Sequence, residues 1–285
     1  MSKLGLVIEG GGMKCAYSAG ILDRFLDDNI TFDEAIGVSA GSANCASFLA
    51  GQRGRNRRFY TEHLKSPEYF GRKAYKKTGN MFNLDYIYST LSNSDGPDPL
   101  DFSAIVENPT EFIAVATDAE TGKPHYFTKD EMIADNYCHI KASCALPAIC
   151  QPQEIDGKFY YDGGVTDAIP VQKALNDGCD RLVVILSKPR DFRKTPEKFR
   201  PAYTILCHRF PNTVKALNRR HVMYGACQAH AFTLENHGKA FIFAPSNPPK
   251  MSTYTMDIEI EQTLYDLGIS DYDTLRDAFF AFLEN

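Results

Sequence analysis

Short apolar runs alternate with helical patterns along the first 190 residues of the chain. The runs lack polar alternation, which is typical of parallel strands covered on both faces. They are Leu4–Glu9, Ala35–Val38, Phe112–Ala116 and Arg181–Ser187. A helix is predicted from about Met13 to Asn29, because its apolar residues recur at helical spacing. This alternation predicts an α/β fold with a doubly wound, mostly parallel sheet flanked by helices, whose ligand site lies at the carboxyl ends of the strands.

The remaining segments depart from this pattern. Residues 53–100 are predicted to be a partly helical insertion rich in Lys, Arg and Tyr. Towards the end of the chain the pattern predicts a long helix at about 213–234, a strand at Lys239–Ala244 and two acidic amphipathic helices. We therefore expect a core domain at 1–190, which includes the insertion, and a helical C-terminal extension at 191–285 that packs on the core.

Composition is that of an ordinary globular protein, with 285 residues, 44% of them hydrophobic and 24% charged. No apolar run approaches the roughly 18 residues that span a bilayer. The first residues lack the long apolar stretch and the cleavage site of a signal peptide. The eight cysteines include no Cys-x-x-Cys pair, so free thiols in a reducing compartment are expected. These features predict a cytoplasmic protein.

Charge is distributed unevenly although the net charge is −5. Residues 53–77 carry nine Lys and Arg against two Glu, a net of +7, whereas residues 251–285 carry eight acids against one Arg, a net of −7. The basic segment also contains aromatic residues, so it either contacts an anionic lipid surface, at the inner membrane, or forms a solvated helix face. In the first case, reversing Arg55, Arg57 and Arg58 should weaken adsorption to anionic vesicles and spare the turnover of a soluble ester. No nucleic-acid-binding module is recognised, so no nucleic-acid partner is predicted.

Four short stretches carry the candidate chemistry. They are Gly10–Lys14, Gly37–Gly41, Ala142–Pro147 and Asp162–Gly164. The second has a Gly-x-Ser-x-Gly frame around Ser39, which requires a sharp strand-to-helix turn because only small neighbours let the backbone fold back. An apolar strand precedes Ser39 and a helix of small residues follows it, as this motif requires.

These four stretches resemble, in their residues and in their order along the chain, the motifs of the bacterial branch of the patatin-like phospholipase family. The resemblance covers residues 4 to about 187, and Cys15 stands where the family usually has the last glycine of its first loop. It implies a patatin-like fold and a serine acyl hydrolase that cleaves lipid carboxylic esters through a Ser39–Asp162 dyad and an acyl-enzyme. It implies a lipid or phospholipid substrate and no metal or organic cofactor. It does not indicate an oligomeric state.

In this interpretation Ser39 is the nucleophile and Asp162 is the base that takes its proton. An ordinary aspartate, with a pKa near 3.9, is too acidic for this task, so burial is expected to raise its pKa. The alternative is a triad of the α/β-hydrolase type, in which a histidine follows the aspartate along the chain. The candidates are His208, His221, His230 and His237. The dyad is favoured because none of them lies in an obvious catalytic context.

Gly10, Gly11 and Gly12 are predicted to form the oxyanion hole, since glycines expose backbone N–H groups at the start of a helix. Met13 and Lys14 are candidate substrate-binding residues. Lys14 either holds an anionic group of the substrate or pairs with a surface acid, and the sequence favours neither. Nucleotide-binding loops are disfavoured, because the Rossmann pattern needs a glycine at position 15 and the P-loop needs Gly-Lys-Ser/Thr.

Other features have simpler interpretations. Four residues invite a zinc interpretation, but their spacing matches no common ligand pattern, and burial as small apolar residues is expected. They are Cys138, His139, Cys144 and Cys150. The Ala142–Pro147 stretch has no strong acid or base and is predicted to shape the wall of the acyl cleft. A short-chain carboxylesterase, an acyltransferase and a non-catalytic lipid-binding protein on the same fold remain alternative functions.

Overall fold

An eight-stranded sheet forms the centre of the computed structural model, which describes residues 2–198 and 200–284. The strands are β1 (Leu4–Ile8), β2 (Glu34–Val38), β3 (Glu111–Asp118), β4 (Pro124–Thr128), β5 (Gln153–Ile155), β6 (Lys158–Asp162), β7 (Arg181–Ile185) and β8 (Ala240–Phe243). Their order is β5-β6-β3-β2-β1-β7-β8, and β4 pairs with the other edge of β3. Within this order, the neighbours β3, β2, β1, β7 and β8 are parallel to one another. Strands β4 and β6 are antiparallel to β3, and β5 is antiparallel to β6.

Helices cover both faces of this sheet. They are α1 (Ala16–Asp27), α2 (Ala40–Leu49), α3 (Arg55–Tyr60), α4 (Arg72–Thr78), α5 (Phe102–Glu107), α6 (Cys138–Cys144), α7 (Val171–Asn176), α8 (Arg200–Leu206), α9 (Pro211–Asn236) and α10 (Ile258–Glu284). The mostly parallel α/β fold with a helical C-terminal region is therefore confirmed. No helix of the described residues is long and apolar enough to cross a membrane.

Residues of one strand alternate between two apolar cores. Leu6 and Ile8 of β1 belong to the core that contains residues of α1 and α10, whereas Val7 belongs to the core that contains residues of α7 and α9. All three side chains are fully buried. Burial on both faces explains why this strand has no polar positions in its sequence.

The end of the chain packs tightly on α1. The prediction of two acidic helices is wrong, because α10 is one helix of 27 residues. Its Gly268 lies against Gly20 of α1: a Cβ at Gly268 would be 2.3 Å from Tyr17 O. The Tyr17 hydroxyl donates to Asp271 of α10 at 3.0 Å. Gly268 therefore marks a close crossing of α10 and α1.

Two strands meet end to end on one edge of β3 and so position the candidate site. Val38, the last residue of β2, pairs with Val115 of β3, and Asp162, the last residue of β6, pairs with Ala116. Since β4 occupies the opposite edge of β3, β2 and β6 share this one. The residue after Val38 therefore lies beside Asp162.

The basic segment at 53–77 is only partly solvated. Arg55 of α3 is 5% exposed and donates to Ser47 Oγ at 2.9 Å, whereas Arg58 donates to both carboxylate oxygens of Asp98 at 2.7 and 2.8 Å. The expectation that reversing Arg55 affects only a lipid-facing surface is wrong, because its guanidinium is buried inside the fold. The exposed cations of the segment include Lys73, Lys76 and Lys77 of α4, together with Arg72 at its start.

Candidate active site

Ser39 stands on a strained turn between β2 and α2. Its φ of 55° and ψ of −132° lie outside the conformations that ordinary residues prefer. A Cβ at Gly37 would be 2.4 Å from Ser42 Cα, and a Cβ at Gly41 would be 2.8 Å from Ile8 O. Both glycines are therefore needed for the chain to turn so sharply, as the sequence pattern predicts.

The Ala142–Pro147 stretch holds this turn to the carboxylate. The Ser39 backbone N–H donates to Ser143 Oγ at 2.8 Å, and the Ser143 hydroxyl donates to Val115 O at 2.6 Å. Two residues later, Ala145 O accepts the backbone N–H of Asp162 at 2.9 Å. The sequence predicts only a cleft wall here. Ser143, the hydroxyl-bearing residue of the stretch, is the feature of the sequence that could have indicated this supporting role.

Asp162 is buried beside the serine, with only 1% of its surface exposed. Its Oδ1 accepts the backbone N–H of Gly164 at 2.7 Å, while Oδ2 is buried without a well-formed hydrogen bond to a described residue. Burial raises the pKa of this carboxyl above its ordinary value. Arg220, the Ser39 hydroxyl, the Gly164 N–H and Lys188 oppose that rise. The site therefore contains a carboxyl that is more basic than a surface aspartate.

The glycine loop approaches the serine closely. A Cβ at Gly10 would be 2.9 Å from the Ser39 Cβ, and Gly12 has a φ of 57°, which favours glycine. No described residue accepts a hydrogen bond from the backbone N–H of Gly10, Gly11 or Gly12. Those three donors are therefore available to a ligand in the crevice.

Two segments far away in sequence support this loop. Ser187, after β7, donates its hydroxyl to Gly10 O at 2.8 Å and its N–H to Glu9 at 2.8 Å, and Lys188 forms an ion pair with Glu9. From the C-terminal region, Thr253 O accepts the N–H of Met13 at 3.2 Å. The sequence does not predict these supporting residues, because none of them lies in a recognisable motif.

Arg220 of α9 supports the other side of the site. Its Nε donates to Gly164 O at 2.7 Å, and its Nη1 pairs with Glu197 at 3.0 Å. Glu197 also pairs with Lys194 at 2.9 Å. A cation is therefore anchored next to the Asp162 loop, where its charge favours the ionised carboxylate.

Ser39 borders two cavities of different character. The first has about 750 Å³ of empty space and is lined largely by apolar and aromatic side chains of α2, α3 and the insertion. The second has about 840 Å³, and its lining includes the glycine loop, Asp162, Lys188, Lys194 and Arg220. The two cavities share Gly12, Ser39 and Leu146.

Comparison with known proteins shows the family of this chain. The family model described as "Patatin-like phospholipase" matches residues 6–175. The chain belongs to the patatin-like phospholipase family. A second model, "Domain of unknown function (DUF6363)", matches residues 210–284, which contain Arg220 and Thr253. The patatin-like region therefore receives contacts at its site from the second matched region.

The relatives vary in how much of the chain they share. Protein YjjU of Escherichia coli (strain K12), whose name marks it as uncharacterized, is 32% identical over 70% of this chain and 56% of its own length. Lysophospholipase nte1 of Aspergillus fumigatus is 24% identical over 64% of this chain and 12% of its own length. Among solved structures, VipD from Legionella pneumophila matches with a TM-score of 0.49 and 12% identity, covering 98% of this chain and 67% of its own. The patatin-like chain thus spans little more than half the length of YjjU.

Met13 and Lys14, the two predicted substrate-binding residues of the patatin-like loop, lie in different surroundings. Met13 is buried and lines the apolar cavity. The Lys14 Nζ lies 5.9 Å from the centre of the Phe192 ring and forms no ion pair with a described residue. Burial, with a smaller effect of nearby Lys188, lowers the pKa of Lys14. Neither cavity includes Lys14 in its lining, so its role as a substrate-binding residue stays a prediction.

Of the histidines and cysteines considered in the sequence, Cys144 lines the apolar cavity. No histidine among the described residues lines either cavity. Burial raises the pKa of the Cys15 thiol, whose Sγ lies 3.5 Å from Glu9 O, so this cysteine is protonated at neutral pH. Cys144 Sγ contacts the Tyr88 hydroxyl at 3.2 Å. Within the described part of the chain, no three His, Cys, Asp or Glu residues cluster as metal ligands would.

Proposed function

We propose that this chain is a serine acyl hydrolase that cleaves carboxylic esters of lipids. The observation that carries the proposal is the position of Ser39, on a strained turn between a buried carboxyl, three unpaired backbone N–H groups and an apolar cavity. Similarity to a protein named as a lysophospholipase supports a lipid ester as the substrate. The apolar cavity supports a lipid over a small polar ester.

Acylation follows from this arrangement. The Ser39 oxygen attacks the carbonyl carbon of the ester and its proton passes to Asp162, while the carbonyl π electrons move onto the carbonyl oxygen. The N–H groups of Gly10, Gly11 and Gly12 stabilise that oxyanion, and loss of one such donor typically costs about 10²- to 10³-fold in rate. When the tetrahedral intermediate collapses, the ester C–O bond breaks and Asp162 returns the proton to the leaving alcohol.

Deacylation uses the same groups. Water gives a proton to Asp162 as its oxygen attacks the acyl carbon, and the proton then returns to Ser39 as the acyl–serine bond breaks. A base works best when its pKa is near the working pH. Burial moves the pKa of Asp162 in that direction, and Arg220 limits how far it rises.

The first prediction tests these roles. Ser39→Ala and Asp162→Asn should each lower ester hydrolysis by roughly 10⁴-fold or more, and the double variant should be no slower than either single one, because both residues serve one step. Ester kinetics and covalent labelling by a fluorophosphonate, which Ser39→Ala should abolish, provide the measurements. His221→Ala is the control and should keep wild-type activity. Activity that survives Asp162→Asn but is lost on changing His208, His221 or His230 would replace the dyad by a triad.

We also infer peripheral contact with an anionic membrane at its cytoplasmic face, through α4. Four cations of this helix are exposed, and the Tyr75 side chain between them is 50% exposed. The cations are Arg72, Lys73, Lys76 and Lys77. Glu68 pairs with Lys77 at 3.2 Å and with Lys73 at 3.9 Å, so part of the charge is compensated. An exposed aromatic ring among cations suits the boundary of a lipid surface.

A further inference from the structure

One face of α2 runs along the apolar cavity from the serine outwards. Ala40, Ala43 and Ala46 all line the cavity, and their spacing of three residues keeps them on one side of the helix. Their methyl groups leave room beside the helix for a straight chain. No residue of α2 after Ala46 lines the cavity. The helix α2 therefore forms one wall of the cavity, and successive alanines along it lie at increasing distances from Ser39.

A fixed cation lies where this wall ends. Arg55 also lines the cavity, and its Nη1 donates to Ser47 Oγ, on the residue after Ala46, at 2.9 Å. Its Nη2 donates to Ser92 Oγ and Asp98 O, each at 2.9 Å. Its Nε lies 3.5 Å from the Asp98 carboxylate and has no hydrogen-bond partner among the described residues. A buried cation therefore lies where the α2 wall ends, in a largely apolar lining that also includes Asn44 and Asn56.

This buried cation resists displacement by an acyl chain. Burial lowers the pKa of Arg55 to about 10, so the guanidinium remains charged at neutral pH. A methyl terminus that pushed past it would remove hydrogen bonds from a buried charge without replacing them. The Phe59 ring, 4.6 Å from the guanidinium carbon, restricts its movement further.

Helix geometry gives the length of the site. Ser47 lies eight residues after Ser39, which is about 12 Å along an α-helix. An extended carbon chain advances roughly 1.2 Å per bond, by analogy with the three bonds of an extended residue. We propose that Arg55, held by Ser47 and Ser92, closes an acyl site that admits straight chains of up to about ten carbons. This inference rests on the proposed function and specifies its substrate as a medium-chain acyl ester.

The test is an acyl-chain series of p-nitrophenyl esters from acetate to palmitate, assayed below their aggregation limits. For the wild type, kcat/KM should rise by up to roughly fourfold per buried CH₂ as far as decanoate, and then fall towards palmitate. Ala46→Leu should move the maximum to about octanoate and Ala43→Leu to about butyrate, because they fill the cavity about 10 Å and 6 Å from Ser39. Each profile is normalised to the acetate rate of the same variant.

Ala229→Leu is the matched control, since Ala229 is exposed on α9, and it should keep the wild-type profile. A rate that rises without a break to palmitate, or two alanine variants with the same maximum, would overturn the inference. Hydrolysis of acetate that is lost with Ser39→Ala tests the proposed function separately. If the wild type hydrolyses no ester, thermal stabilisation by free fatty acids from butyrate to palmitate gives the same length comparison, and an optimum beyond decanoate contradicts the proposal.

Discussion

The two cavities that meet at Ser39 are built from different parts of the chain. The apolar cavity is formed mainly by α2 and the insertion at 53–100, and Met13 and residues of the 137–146 segment complete its lining. The polar crevice is formed by loops at the ends of β1, β6 and β7, together with Arg220, Thr253 and Tyr254 from the C-terminal region. In the proposed function, Ser39 therefore has an acyl-binding side and a proton-transfer side, and we expect that each can be altered without the other.

Two buried carboxyl groups differ in the partners that surround them. Asp162, in the crevice, has a backbone N–H, a hydroxyl and two cations near it, which oppose the effect of burial. Glu261 of α10 is fully buried, and neither carboxylate oxygen has a hydrogen-bond partner among the described residues. Burial, together with Asp257, raises the pKa of Glu261 to about 9. Asp162 is thus prepared to ionise, whereas Glu261 is kept neutral.

Removing Arg220 should give the largest change confined to the crevice. Arg220→Gln deletes a charged hydrogen bond to Gly164 O and a cation that favours ionised Asp162. Hydrogen bonds of this kind are worth about 1.5–3 kcal/mol, so kcat/KM should fall roughly tenfold or more at neutral pH. The pKa of Asp162 should rise, and since the base must be ionised, the acid limb of the pH–rate profile should move to higher pH.

Arg219→Gln is the matched control, because Arg219 is the exposed neighbour of Arg220 on the same helix. It should leave both the rate and the pH profile of a soluble ester unchanged. The acyl-chain profile of Arg220→Gln should also remain that of the wild type, since Arg220 does not line the apolar cavity. An acid limb that stays in place while the rate falls would show that Arg220 has only a structural role.

The sequence predicts the parts of this molecule that depend on local patterns. β1, β2, β3 and β7 agree with the predicted runs to within about two residues, because continuous apolar runs suit buried parallel strands. The antiparallel strands β4, β5 and β6 are not predicted. The glycine loop and Ser39 follow the carboxyl ends of the parallel neighbours β1 and β2, whereas Asp162 ends β6, which meets β2 end to end on one edge of β3.

Residues that act through tertiary contacts are beyond this kind of prediction. Arg220 reaches Gly164 only because α9 packs beside the site, 56 residues later in the chain. Arg55 lies in a basic run, and such runs are usually solvated. Its burial depends on Ser92 and Asp98, which belong to a loop 37 to 43 residues away. No local pattern contains information about these pairs.

The pH dependence of the free energy of unfolding should show that the Glu261 carboxyl stays neutral in the folded protein. Below the ordinary pKa of a glutamate, 4.5, Glu261 is neutral in both folded and unfolded chains and costs nothing. From there up to about 9 the unfolded chain ionises while the folded chain does not, so stability falls as pH rises. Glu261→Gln should therefore stabilise the protein by about 2–3 kcal/mol at neutral pH, a rise in Tm of roughly 5–10 °C, and have little effect near pH 4.

Thermal unfolding of the wild type and Glu261→Gln across this pH range provides the measurement. Glu259→Gln is the control, because Glu259 is exposed in the first turn of α10 and should leave the pH dependence unchanged. Equal Tm differences at acid and alkaline pH would mean that Glu261 does not stay neutral in the fold. Hydrolysis of a soluble ester by Glu261→Gln should match the wild type, because Glu261 lines neither cavity.

The smallest expected effect is on the binding of α4 to an anionic lipid surface. Lys73, Lys76 and Lys77 of α4 are exposed, and each cation near an anionic surface contributes about 1 kcal/mol at low salt. Reversing all three to Glu should weaken co-sedimentation with phosphatidylserine vesicles and leave turnover of a soluble ester unchanged, since none of them lines a cavity. The control reverses three exposed lysines elsewhere, at positions 123, 158 and 215, and has the same net charge. Equal loss of sedimentation in both triple variants would assign the effect to net charge, whereas loss only in the α4 variant, abolished by salt, would assign it to this helix of the insertion.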